Sequence, residues 1–356
     1  MTTTISQPEI LQSTRSHCSR HPPEGWDAYL LRWGMRGFHH QTSWSRIFQN
    51  GLKHQAWYLW TERSGQITGV LPLMHIQSAL FGSYLVSQPY LNTGGILADS
   101  AQCEAMLIDR AVRLADSLDV RRMELRHEES VQHAALNGLS TEKVHMRLRL
   151  PTCPDELWGS FKSKVRSQIR KPLNNESLTV QFGGMSELEA FYSVFCHNMR
   201  DLGTPPFARS LFEEILQEFP DAAEICTVRA GQTPVASGLL LHGPGTTLIP
   251  SASSLRAFNS TSCNMLMYWH AMTRSIDRGQ SWFDFGRSSS DSGTYRFKKQ
   301  FGSEEFPASW QYYNRSGSTD DMRPGSGRFD LMIRVWQKLP VWLTRLIGPA
   351  IVRGIP

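Results

Sequence analysis

"WYLWTERSGQITGVLPLMHI" (57–76) alternates apolar with other residues on either side of Ser64-Gly65, the pattern of two strands joined by a tight turn. It returns in "EICTVRAGQTPVASGLLLHG" (224–243), with Ala230-Gly231 at the bend, and both bends carry Arg-x-Gly-Gln, Arg63 to Gln66 and Arg229 to Gln232. Downstream, "MLIDRAVRLADSLDVRRMELR" (106–126) spaces its apolar residues as a helix does and then turns β-like; "MLMYWHAMTRSIDRGQSWFDFGR" (265–287) keeps the same order. Each closing strand sets an acid shortly before an arginine, Glu124 with Arg126 and Asp284 with Arg287. Hairpin, helix and strand in one order at similar separations imply an α/β (α+β) chain of two tandem copies of one unit. The competing reading is two unrelated α/β domains that share a common hairpin.

The 356 residues exceed one ordinary core and fit two domains. A hydrophobic content of 40% and a net charge of +5 suit a globular protein with a site for an anion, far from the dense basic surface of a DNA binder. The six cysteines form no C-x-x-C pair, so neither a zinc knuckle nor a compact disulfide framework is expected, and the chain reads as reduced and cytoplasmic. The start lacks an apolar signal core, and no uninterrupted apolar run reaches about 18 residues. Composition suggests a disordered N-terminus over 1–25, an N-terminal unit over 26–150, a second unit over 151–313 after the Pro151 and Pro154 break, a linker over 314–327 and an amphipathic tail over 328–356. In the tail, Arg334, Lys338, Arg345 and Arg353 punctuate apolar residues. The tail either packs back on the body or docks on an anionic membrane surface, which would make the protein peripheral on an inner membrane.

"FKSKVRSQIRKPLNN" (161–175) places Phe161, Val165 and Ile169 on one helical stripe and Lys162, Arg166 and Arg170 on the next, with Lys164 and Lys171 beside them. Such a face is either a solvated surface or an anion site, because guanidinium pairs fit phosphate oxygens. "FDFGRSSSDSGTYRFKKQFG" (283–302) adds a second cationic cluster, Arg287, Arg296, Lys298 and Lys299, around a loop that Gly293 lets bend. A lysine at the start of a helix after such a loop is suited to stabilise an oxyanion. "LVSQPYLNTGG" (85–95), with Asn92, reads as a groove for a sugar or peptide or as a long hairpin loop, and "FCHNMRDLGTPPF" (195–207) leaves Asn198, Arg200 and Asp201 near a loop mouth. His39-His40 and Cys196-His197 have no further ligand or triad partner at a recognisable spacing, so no metal is expected. Neither a G-x-G-x-x-G after a strand nor a G-x-x-x-x-G-K-[ST] is present, which argues against dinucleotide-fold and P-loop enzymes.

The hairpin, the helix carrying Asn264, Leu266, Tyr268 and Trp269, then "FDFGRS" (283–288) and "YRFKKQFG" (295–302), resemble the FemAB family of tandem GNAT-like acyltransferases. Phe297, Lys298, Phe301 and Gly302 carry the most specific part of the likeness. With "KVRSQIRK" (164–171), "RDLGTPPF" (200–207) and "WQYY" (310–313), the chain is similar from about residue 26 to its end to the branch associated with exosortase/PEP-CTERM and exopolysaccharide systems. The resemblance implies two GNAT-like domains, each a mixed sheet flanked by helices, and amide formation from an acyl-CoA or aminoacyl-tRNA donor. The implied acceptor is a small-molecule or lipid-linked saccharide or a peptide of the cell envelope. Lys298 would stabilise the oxyanion, Asp284 would orient or deprotonate the amine, and Arg166 and Arg170 would hold phosphate. Arg287, Phe297, Tyr295, Asn92 and Arg200 would complete the substrate site. In one departure, the glycine-containing pyrophosphate loop of ordinary GNAT enzymes is replaced by "SSLRAFNSTSCN" (253–264), which has no glycine. A charged heptad arm for tRNA is also missing, so the donor stays open, as does the reading of a non-catalytic recruitment protein.

Overall fold

In a computed structural model the chain is described over residues 13–315 and 327–355. The first half supplies β1 (Arg15–Ser19), β2 (Gln55–Arg63), β3 (Gln66–Ser78), β4 (Gly82–Val86), β5 (Leu97–Ala98), β6 (Arg122–His127) and β7 (Gly138–Ser140). The second supplies β8 (Lys143–Arg149), β9 (Leu178–Gly183), β10 (Ala223–Ala230), β11 (Thr233–Gly243), β12 (Thr246–Ser254), β13 (Trp282–Ser289), β14 (Glu304–Phe306) and β15 (Ser309–Asn314). They form two mixed sheets, ordered β1-β2-β3-β4-β6-β15-β7, with β5 on β3, and β14-β8-β13-β12-β11-β10-β9. Both sheets are flanked by helices, and two more helices, Gly327–Lys338 and Val341–Val352, follow as a tail. The expected tandem fold is present.

The repeat is visible in the pairing. In each unit a long antiparallel hairpin, β2-β3 or β10-β11, leads to a strand that runs parallel to the one after the helix: β4 beside β6, and β12 beside β13. The two Arg-x-Gly-Gln bends are not superimposable, however. The first hairpin turns on Ser64 and Gly65, both at positive φ. The second turns one residue later, on Gly231-Gln232 rather than Ala230-Gly231, since Ala230 pairs with Thr233. Gly231 alone takes positive φ there, and two-residue hairpins accept either arrangement.

The units exchange an equivalent strand. β8, which follows the first unit's β7, inserts between β13 and β14 of the second sheet, while β15 inserts between β6 and β7 of the first. The sequence boundaries at 150 and 313 therefore cut across the sheets, because a composition break marks where a helix starts and says nothing of which sheet a strand joins. Nor is the whole of 1–25 disordered: Arg15–Ser19 pairs antiparallel with β2 and His17 stacks on Trp60, a polar edge strand that composition alone hides. Residues 1–12 and most of the expected linker, 316–326, lie outside the described residues.

Period-two alternation buries both faces of the central strands. On β3, Leu71 and Leu73 face a core under the helix Ala101–Ser117, while Val70 and Met74 face the other way. On β10 and β11, Cys226, Val228 and Leu240 face a core under the helices Ser163–Leu173 and Cys263–Asp277. Ile225, Leu239 and Leu241 join Val70 and Met74 in a third core shared by both units, rich in aromatic residues such as Trp44, Phe48, Phe191, Phe212 and Phe219. Gly51 lets the helix Thr42–Leu52 approach Arg209–Glu218 closely: a Cβ there would lie 3.0 Å from the Leu211 Cα. The bidentate Arg46–Glu218 pair brackets the same contact.

Candidate active site

β12 and β13 are paired at only three positions, Thr246–Leu248 against Trp282–Asp284. Beyond them β12 follows β11 and β13 follows β8, so the strands splay apart. Such a gap at strand ends is where open α/β sheets take ligands. It opens on a cavity of about 160 Å3 lined by Asn198, Ser253, Asn264, Tyr268 and Phe297. Asn264 and Phe297 are shared with a larger cavity of about 550 Å3, whose wall carries three cations, Lys162, Lys164 and Arg296. Ser262, on the same wall, takes φ 58 at the entrance to the helix Cys263–Asp277. That is a conformation glycine adopts most easily. The tight turn into the helix is thus made without the missing glycine.

After β13 the chain turns through Asp291, also at positive φ, and the Ser292 hydroxyl accepts from the Tyr295 N–H to start the short helix Gly293–Lys299. Phe297 and Phe301 seat this helix on Tyr268 and Phe285. Lys298 is thereby turned inward and buried. Its ammonium donates to the carbonyls of Gly286 (3.2 Å) and Arg287 (3.0 Å). One N–H is left without a protein acceptor among the described residues. Burial lowers its pKa to about 8, with Asp284 opposing the shift and Arg287 and Lys143 adding to it.

Asp284 is buried behind this lysine, where its carboxylate accepts from Arg147 Nε (2.9 Å) and from the Gly286 N–H (2.7 Å). The same arginine also pairs with Glu128. Each oxygen accepts one of these bonds and keeps a further lone pair, and together they hold the bulge of β13 in shape. Arg287 lies across the Trp310 ring, 3.2 Å from its centroid, and donates to Asn92 Oδ1 (3.3 Å). Burial and the Arg126 charge press its pKa down, though a guanidinium stays charged in the neutral range. Gly286 sits at φ 75 where a Cβ would lie 2.9 Å from Asn92 Nδ2. Gly286→Ala should therefore cost about 1–3 kcal/mol, from the left-handed backbone and the forced shift of Asn92. Chemical denaturation against wild type measures it, and an unchanged midpoint would show that this contact is slack.

Lys298, Phe297, Arg287, Asn92 and Asp284 are thus brought together. Four other expected residues are not. Arg166 and Arg170 lie on the far side of the buried Val165–Ile169 stripe from Lys164 and Gln168, and Arg170 rests near the Trp158 ring. Tyr295 points its hydroxyl to Glu305 at the surface. Arg200 bonds Asp201 and the Leu339 carbonyl, so it docks the tail instead of a ligand. Sequence reasoning missed Trp310 and Arg147 as site residues, because the two exchanged strands deliver them. Only the family likeness of "WQYY" (310–313) touched the first.

The first unit has a different counterpart. Its β4–β6 gap is filled by the segment 87–96: Ser87 N–H donates to the Glu124 carbonyl, and the Gly94 and Gly95 N–H groups donate to the Arg126 carbonyl. Arg126 is buried against Glu124 (2.7 Å) and Trp310 (3.9 Å to the centroid). Beyond this plug lies a cavity of about 510 Å3 whose wall includes Arg36, His40, Glu104, His127, Glu128 and Glu129. His127 is buried with no hydrogen-bond partner in place at either ring nitrogen among the described residues, and burial lowers its pKa to about 4, the nearby Gln311 side chain opposing the shift. Through Glu128 and Arg147 this wall is ion-paired to Asp284 of β13. Among the described residues there is no group of three or more His, Cys, Asp or Glu arranged to hold a metal ion.

The acetyltransferase (GNAT) domain family matches residues 159–299, which contain the splayed strands and Lys298. No curated protein sequence matches the chain. Among solved structures, FemX superposes with a TM-score of 0.65 at 15% identity, covering 89% of this chain and 100% of that one. A tandem GNAT protein from the clavulanic acid biosynthesis pathway gives 0.54 at 9%, covering 87% and 100%. The L-PGS of Bacillus licheniformis gives 0.54 at 10%, covering 89% and 98%. The architecture is that of tandem GNAT-fold proteins.

Proposed function

We propose that this chain is an N-acyltransferase that moves an acyl group from a phosphate-bearing donor, an acyl-CoA or an aminoacyl-tRNA, to an amine. The observation that carries the reading is a pair of splayed strands that opens toward a cation-lined cavity, with a buried, partly free ammonium held against the carbonyls of β13. Lys162, Lys164 and Arg296 hold the donor's phosphates, and its acyl end enters the gap past Phe297 and Asn264. The acceptor arrives from the first unit's cavity, where Glu104 and Glu129 attract an amine and His127 offers a ring nitrogen to a hydroxyl. The amine nitrogen, neutral after giving one proton to solvent, attacks the acyl carbonyl carbon, Lys298 donates to the oxygen as it gains charge, and the C–S or C–O bond to the donor breaks. The proton lost from nitrogen leaves with the departing thiol or ribose hydroxyl.

The acceptor class we favour is a cell-envelope saccharide, a lipid-linked precursor or a peptide, acting in exopolysaccharide or exosortase systems as the sequence resemblance implies. The donor is tested by calorimetric titration with acetyl-CoA and longer acyl-CoAs, wild type beside Lys162→Glu/Arg296→Glu. Reversing two phosphate-facing cations should weaken binding by about a hundredfold, with the loss shrinking as salt rises. Binding that ignores the substitution would remove the cavity from the reading. If the folded protein binds neither acyl-CoA nor charged tRNA, acyl transfer itself fails.

A further inference from the structure

The tail is docked by one face only. Trp336, Thr344 and Val352 are buried, Ile333 closes over Gly203, and Gly348 lies so close to Pro206 that a methyl group would clash. Arg200 and Gln337 tie its first helix to the end of the helix Leu188–Leu202, and Arg345 pairs with Glu189. The opposite face is open. Leu331 (68% exposed), Met332, Val335, Trp342 (67%) and Leu346 (70%) all project into solvent. Of the large apolar side chains most exposed among the described residues, half belong to this short tail. A helix pair stabilised only by its inner contacts has no reason to keep such a face apolar.

We propose that this outer face is a docking surface for an anionic bilayer, on which the protein lies without crossing it. The charge of the segment selects that occupant. Residues 331–355 contain no Asp or Glu and four cations, Arg334, Lys338, Arg345 and Arg353, and Arg334, Lys338 and Arg353 are exposed. An apolar stripe with an aromatic residue and flanking cations suits the interface of a membrane whose headgroups are negative. Each tail helix has twelve residues, too short to span a bilayer, and no described helix is long and apolar enough to do so. The helix that anchors the tail through Arg200 also carries Asn198 into the splayed-strand cavity, so the surface and that cavity share one support. The proposal does not depend on acyl transfer.

Co-sedimentation of the full chain with vesicles tests it, comparing phosphatidylcholine alone with mixtures containing phosphatidylglycerol. Wild type should partition onto the mixed vesicles. Trp342→Ser/Leu346→Ser should lose at least about tenfold in partitioning with its melting curve unchanged, because both side chains are in water in the free protein. Arg334→Gln/Lys338→Gln should lose about fivefold for each cation. A folded wild type that stays in the supernatant would overturn the proposal. So would equal binding to the uncharged vesicles, or a wild-type dimer in sedimentation velocity that the Trp342→Ser/Leu346→Ser variant splits, since a second copy would then cover the face.

Discussion

Replacing Lys298 with methionine is expected to lower the rate of acyl transfer by about a hundred- to a thousandfold while leaving the fold in place. Methionine keeps an unbranched apolar stem but removes the one ammonium that is buried among the described residues. The direct readout is thiol release from an acyl-CoA in the presence of candidate amines, with circular dichroism as the control for folding. The wild-type rate should also depend on pH in a way that identifies this group. With a pKa of about 8 the ammonium is lost as pH rises through that value, and the rate should fall about tenfold per unit above it. Lys298→Arg, whatever its absolute rate, should lack that limb because a guanidinium keeps its proton.

Stability moves the other way. The folded-state pKa lies below the ordinary lysine value of 10.5, so between about 8 and 10.5 the unfolded chain binds more protons, and the folded state gains stability as pH rises. Alkaline loss of activity with an unchanged or higher melting point would assign the limb to Lys298 chemistry. Loss of both together would place it elsewhere.

The second large effect concerns β15. A chain ending before Ser309 should lose cooperative folding of its first half. The six antiparallel pairs from Ser309–His127 to Asn314–Arg122 disappear, β7 loses the strand it pairs with, and Trp310 no longer separates the Arg126 and Arg287 charges. Stripping a central strand exposes two unpaired edges and part of a core, a cost comparable with the total stability of about 5–15 kcal/mol of an ordinary domain. The expected product is insoluble or melts without a cooperative transition. A soluble fragment with a wild-type-like melting curve would show that the sheets are less interdependent than their pairing indicates.

What could be read from sequence was local. Hairpins, the helix–strand order and the Phe297–Gly302 element depend on spacing within a few residues, and these are where expected, apart from the one-residue shift at Gly231. The helix Ser163–Leu173 was legible as a helix, but its wheel gives two cationic flanks and no means to tell which one faces a cavity. Packing against the helix Cys263–Asp277 decides that, and it leaves Lys164, still exposed, on the cavity wall and Arg166 off it. The strand exchange was invisible for the same reason. Lys143–Arg149 looks alike whichever sheet it joins, and its neighbours in space are more than a hundred residues away in sequence.

For a polypeptide leaving the ribosome, this interlocking removes the usual advantage of vectorial synthesis. Nascent domains ordinarily close one after another. Here β6 and β7 wait for residues 309–314 while β8 waits for β13, so both edges stay open until well over a hundred further residues have been translated. The burden of protecting those edges falls on chaperones, and slowing translation should worsen misfolding of this chain.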